Sequence, residues 1–211
     1  MTSTPASSAV TVRRLPDRSS YDEELRDAIL DEGLVAHVGL VDDEGRPVVI
    51  PMAYARDHDH LLLHGSPASR LLRGGKTGVD LCVTVTLLDG LVLARSTFHH
   101  SMNYRSVVVL GTATPVEDLD DRRAALDQLT EHLAPGQLEV LRPSSEKEVR
   151  GTLVLRLPTD EFSVKARSGG PVDDDEDLDP QVWAGVIPLS LAPGVPVPDE
   201  TTAVELPPHL R

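Results

Sequence analysis

Aromatic side chains make up only 3% of the 211 residues, so a core must be built from Leu, Val, Ala and Ile. The single cysteine, Cys82, excludes an internal disulfide and fits a reducing compartment. Its apolar neighbours predict a buried, inert thiol. No stretch approaches the roughly 20 apolar residues of a membrane span. The segment MTSTPASSAVTVRRLP lacks the continuous apolar core of a secretory signal, so the expected compartment is cytoplasmic. Positive charge is short as well: 20 Lys and Arg against 34 Asp and Glu give a net charge of −14, which argues against nonspecific nucleic-acid binding. Much of that acidity lies in Asp173–Asp179 (DDDEDLD), read as a solvated loop, which leaves room for a basic pocket elsewhere.

What remains is enough hydrophobic content, 40%, for one substantial core with appendages. Residues 1–18 read as a flexible N-terminus. Ser20 and Glu23 have capping-box spacing and open a helix that Gly33 stops. Residues 34–41 and 47–55 read as strands around the turn Asp42–Gly45, with His37 as a half-buried strand residue. Pro51 cannot donate to a ladder and marks a sheet edge or bulge. Residues 79–98 predict a hairpin turning at Asp89-Gly90, with a polar face carrying Cys82, Thr84 and Thr86. A strand at 104–114, a helix at 116–136, a short helix from Ser144, and strands at 153–158 and 162–167 complete the order. About six consecutive antiparallel strands without long crossovers fit a small barrel. The single tryptophan, Trp183, is expected to anchor the tail on the body or to form a lid.

Two stretches carry candidate chemistry. In LLLHGSPASRLLRGGK (61–76), Ser66 and Pro67 form a helix start whose free N–H groups suit a phosphate. Ser69, Arg70, Arg73 and Lys76 supply hydroxyls and cations nearby. In TFHHSMNYRSVVVLGT (97–112), a polar cluster of Ser101, Asn103, Tyr104, Arg105 and Ser106 precedes an apolar strand. It is either a ligand wall or a plain turn. His99 and His100 belong to a pocket rim, a dimer contact or a loop.

Taken together and in order, PVVIPMAY, LLLHGSPASRLL, LVLARSTFHHSMNYRSVVVLGTAT, EHLAPG, SVKARSG and VWAGVIPL resemble the split-barrel proteins related to pyridoxamine 5′-phosphate oxidase. The nearest branch is the nitroimidazole-reductase-like, flavin-nucleotide-binding one. The resemblance implies a mainly β (α+β) fold: a six-stranded antiparallel split β-barrel with peripheral helices, homodimeric, carrying FMN or FAD at the subunit interface. It divides the chain into the N-terminus 1–18, a flavin-binding domain 19–170, and an acidic loop with a proline-rich tail, 171–211, packing on the barrel. By position, His64, Ser66, Ser69, Arg70 and Lys76 lie at the phosphate end. Pro51, Met52 and Ala53 offer backbone groups to the flavin's pyrimidine edge. Asn103, Tyr104, Arg105 and Ser106 form the ring-side wall, and Arg105, with Lys165 and Arg167 behind it, faces the flavin N1. His64 reads as a catalytic proton donor or as a polar strand cap.

The resemblance implies reduction of a small aromatic, quinone-like or nitro compound. NAD(P)H would bind transiently, since the chain has no GxGxxG fingerprint. A non-catalytic flavin store or sensor, and a split barrel using haem or deazaflavin F420, are the alternatives; His37, His64, His99 and His100 keep haem open. The residues that grip pyridoxamine phosphate in the vitamin-forming oxidases have no counterpart, so that activity is not expected. No metal site is expected.

Overall fold

Alternation along one strand fixes the orientation of the whole barrel wall. In β2 (Ala36–Val41), Ala36, Val38 and Leu40 are buried while His37 and Val41 face outward, as a period of two requires. The computed structural model describes residues 4–66, 78–178 and 181–210. Around β2 run β1 (Ser19–Ser20), β3 (Pro47–Met52), β4 (Tyr54–Asp57), β5 (His60–Gly65), β6 (Val79–Leu93), β7 (Ser101–Pro115), β8 (Leu153–Pro158), β9 (Phe162–Arg167) and β10 (Gly185–Pro188). The pairing order is β3-β2-β6-β7-β8-β5-β4, with β9 joining β7 to β1 and β10 lying on β6. Every pair is antiparallel, and the sheet curls into a split barrel. Among the described residues the helices are peripheral: α1 (Glu23–Glu32), α2 (Leu119–Leu133) and α3 (Glu146–Gly151). None is long and apolar enough to cross a membrane.

The fold class is the expected one, but the described residues form ten strands rather than six. One reason lies at Ala53. The run 47–55 reads as one strand, yet it breaks there: β3 pairs with β2, whereas β4 crosses over to pair with β5. As Pro51 predicts, β3 is an edge strand. A second departure is that Asp89-Gly90 is no turn. The ladder between β6 and β7 runs past it with a bulge between Leu88 and Gly90, and the chain reverses instead at 94–100. The α1 cap also shifts. Asp22, not Ser20, accepts from the Leu25 N–H at 2.9 Å, because Ser20 is held extended in β1 against β9.

The barrel interior is packed by Ile29, Leu30, Tyr54, Leu61, Leu63, Val83, Val85, Val107, Val109 and Val164. A smaller cluster of Ala55, Leu62, Val116, Ala125, Leu129 and Val154 seats α2 on the outside of β4, β5 and β8. Thus β5 sends Leu61 and Leu63 into the barrel and Leu62 toward α2. Cys82 is exposed, not buried, because it shares the outward face of β6 with Thr84 and Thr86. Trp183 is 63% exposed, with its ring beside Gly185, and the late segment is held by backbone pairing of β10 with β6. The acidic loop is not wholly solvated either. Asp173 takes both the backbone N–H and the guanidinium of Arg95 at 2.8 Å, leaving its side chain 1% exposed.

Candidate functional site

The alternation that sends Leu62 to α2 sends His64 the same way. His64 faces a cavity of about 260 Å³ walled by Leu126, Leu129, Thr130 and Leu133 of α2, with Ser144, Glu148 and Thr152 across it. Its Nδ1 is buried and has no hydrogen-bond partner among the described residues. Burial also pulls the imidazole below its ordinary pKa of 6.5, so the ring is neutral near pH 7. An unpaired buried nitrogen is costly unless a ligand meets it. Ser66 follows two positions on, whereas Ser69, Arg70 and Lys76, the rest of the expected phosphate unit, lie outside the described residues.

A second cavity, about 990 Å³, opens at the barrel end above α1. One wall is Leu34, Val35, His37, Val85 and Leu87–Asp89; the other is the segment Leu189–Pro193 that follows β10. Arg105 closes its floor. Residues 103, 105, 107 and 109 share the inward face of β7, so where the apolar core ends Arg105 meets acids instead. Its Nε and NH2 donate to Asp89 at 3.0 and 2.7 Å, and NH1 and NH2 donate to Glu32 at 2.5 and 2.9 Å. These bonds raise the Arg105 pKa and lower those of Glu32 and Asp89. One cation is therefore balanced by two carboxylates inside the chain.

Of the other expected site residues, Tyr104, Ser106 and Lys165 fall on the outer wall. Ser106 is the cross-strand neighbour of both Thr86 and Lys165, and Tyr104 lies opposite Arg167. Lys165 donates to the Arg14 carbonyl at 3.1 Å. Asn103 accepts from Arg167 and donates to the Gly169 carbonyl at 3.1 Å. Pro51 pairs with His37, which pairs with Thr84, then Val108, then Ser163, so the β3 edge and the β7 wall share one transverse row. Met52 is the partner of Ala36, and Ala53 is the crossover residue. The structure thus groups Tyr104, Ser106 and Lys165, and separately His64 and Ser66; the two cavities share no lining residue.

Glu32, Asp89 and Leu189–Pro193 were not expected in a site, and His37 was expected as a half-buried strand residue and as one of four histidines open to a haem. The alternation of Ala36, Val38 and Leu40 does signal His37, since it must then point outward. Glu32 and Asp89 carried no local signal, because their link to Arg105 spans 73 and 16 residues.

An antiparallel sheet curled into a half-barrel with outlying helices defines the split-barrel class. The chain belongs to the pyridoxamine 5′-phosphate oxidase family, whose sequence profile it matches over residues 22–166. No curated protein matches it by sequence. Among solved structures it is similar to the flavocytochrome Anf3 of Azotobacter vinelandii, at 39% identity and TM-score 0.90, over 97% of this chain and 95% of that one. It is similar to an FAD- and haem-binding protein of Mycobacterium smegmatis, at 40% identity and TM-score 0.86, over 91% and 95% of the two chains. A Bacteroides thetaiotaomicron protein named for 5-nitroimidazole antibiotic resistance aligns at 26% identity and TM-score 0.59, over 70% and 85%.

Proposed function

We propose that this chain is a flavin-nucleotide-binding oxidoreductase that takes FAD, with FMN as the alternative, and also carries a haem. The buried, unpartnered Nδ1 of His64 carries the flavin reading. It sits at the strand end that leads into the Ser- and Arg-rich phosphate sequence. The near-full-length likeness to a flavocytochrome and to an FAD- and haem-binding protein supports both cofactors. Bound flavin supplies hydride or single-electron transfer. His64, kept neutral by burial, holds a proton at one ring nitrogen and accepts a hydrogen bond at the other. The apolar wall of Leu126, Leu129 and Leu133 excludes water beside it. Lys165 and Ser106 offer donors to a polar ring edge.

The chain works as a homodimer on this reading, with the flavin completed by the second subunit. His64 with Ser66 and Tyr104 with Ser106 and Lys165 occupy different places in one chain, so a single ligand touching both draws on two copies. The β3 edge supports a self-association surface: Val49 is 63% exposed beside Pro47 and Pro51, and Val41 is 67% exposed. Light scattering after gel filtration should give twice the chain mass; a monomer at micromolar concentration contradicts it.

The acceptor is a small aromatic, quinone-like or nitro compound, reduced with electrons from NAD(P)H. Anaerobic mixing with NADPH should bleach the flavin, and a nitroaromatic or quinone should restore it. Bleaching that no acceptor reverses identifies a flavin store instead.

A further inference from the structure

We propose that His37 is the residue through which this chain ligates a haem iron, with the macrocycle seated in the cleft between the β2–β6 wall and the segment Leu189–Pro193. The proposal rests on the haem part of the reading above. It follows from asking what each imidazole already does.

The chain has eight histidines, all within the described residues. Six have an oxygen partner: His58 with Asp57 at 4.0 Å, His60 with Asp59 at 2.8 Å, and His99 with Asp174 at 3.1 Å. His100 meets the Ser96 carbonyl at 2.9 Å, His132 the Gly33 carbonyl at 2.7 Å, and His209 the Gln137 amide at 2.9 Å. Only His37 and His64 are without one among the described residues. His64 adjoins the phosphate sequence and is already given to the flavin by the reading above. His37 lines about 990 Å³, near the upper end of the range for ligand pockets.

The walls match the occupant. A haem is a broad apolar disc that needs hydrophobic contact on both faces and a neutral imidazole on its iron. Leu34, Val35 and Leu88 stand partly exposed on one side of the cleft, and Leu189 and Leu191 on the other. So much unburied aliphatic surface on two facing walls calls for an apolar ligand between them. The second wall is fixed at its root, where β10 pairs with β6 and the Leu189 N–H donates to the Asp89 carbonyl at 3.0 Å. Glu32, Arg105 and Asp89 together bear one net negative charge, which disfavours the propionate edge at that end. Coordination asks only a lone pair of His37 and displaces water from the iron; no electron or proton changes hands.

The test uses the full chain expressed with added haem precursor, or incubated with hemin and desalted, as wild type, His37→Gly, His37→Met and His64→Gly. Wild type and His64→Gly should show the same Soret band. His37→Gly should lose it, with recovery in added imidazole, and His37→Met should shift it. Retained flavin absorbance and an unchanged thermal midpoint in His37→Gly report folding, as expected for an exposed residue. A Soret band of wild-type position and height in His37→Gly overturns the ligand assignment alone. No Soret band in wild type overturns the haem reading and, with it, the assignment.

Discussion

Arg105 and Asp89 face each other across the bulge of β6, with both Nε and NH2 of the guanidinium on the two carboxylate oxygens at 3.0 and 2.7 Å. Glu32 at the end of α1 takes the remaining donors, so the three groups tie helix, β6 and β7 together beneath the large cleft. The Arg105 side chain is 32% exposed, Asp89 34% and Glu32 54%, so solvent screening limits the loss in Arg105→Ala to about 1 kcal/mol at pH 7. Hydrogen bonds from Arg105 hold both acids below their ordinary values of 4.5 and 3.8. As pH falls, the unfolded chain takes up protons first. The stabilisation is therefore complete above those values and is lost as pH drops through the lower folded ones. Urea midpoints for wild type and Arg105→Ala should differ at pH 7 and converge toward pH 3.

His64→Phe should leave stability unchanged or raise it, because the substitution removes a buried nitrogen that has no partner among the described residues. Flavin retention should fall in the same variant, measured by equilibrium dialysis. The wild-type imidazole, lowered from 6.5 by burial, binds fewer protons folded than unfolded. Its contribution to stability is thus full above 6.5 and declines as pH falls toward the folded value. Carbon-detected NMR should show His64 titrating below the ordinary imidazole value of 6.5.

Gly33 leaves no room for a methyl group. A Cβ there would lie 2.5 Å from Val85 Cγ1 and 2.8 Å from the Tyr54 hydroxyl, while the Gly33 carbonyl accepts from His132. Gly33→Ala should destabilise by roughly 1–3 kcal/mol through overpacking, read as a lowered urea midpoint at constant slope.

Gly90 does the same for the tail. Its Cβ would meet the Ile187 carbonyl at 3.0 Å and Val186 Cγ1 at 3.1 Å. Gly90→Val should detach β10 from β6. Hydrogen exchange at the Val186 and Ile187 amides should speed up markedly while the β7 amides of Val107 and Val109 stay protected.

Periodicity made much of the barrel legible: β8 and β9 match their expected bounds, and the inward faces of β2 and β6 follow from alternation alone. It failed where distant pairing decides. Residues 47–55 look like one strand, but which neighbour each half finds is set by β2 on one side and β5 on the other. Asp89-Gly90 has the chemistry of a turn, yet β7 is long enough to pair straight past it. The site was legible as residue types and not as company. His64 stood out by its strand-end position, while the partnership of Arg105 with Glu32, 73 residues away, had no local signal. His37 was one of four histidines open to a haem, and nothing in the strand singles it out until the segment Leu189–Pro193, more than 150 positions later in the chain, is in place.

The visible absorption spectrum of the purified full chain, taken after incubation with FAD and desalting, tests the central claim most directly. A flavin band that survives desalting, with loss of that band in His64→Phe, is the predicted result. A colourless wild-type protein after the same treatment with either FAD or FMN would contradict it.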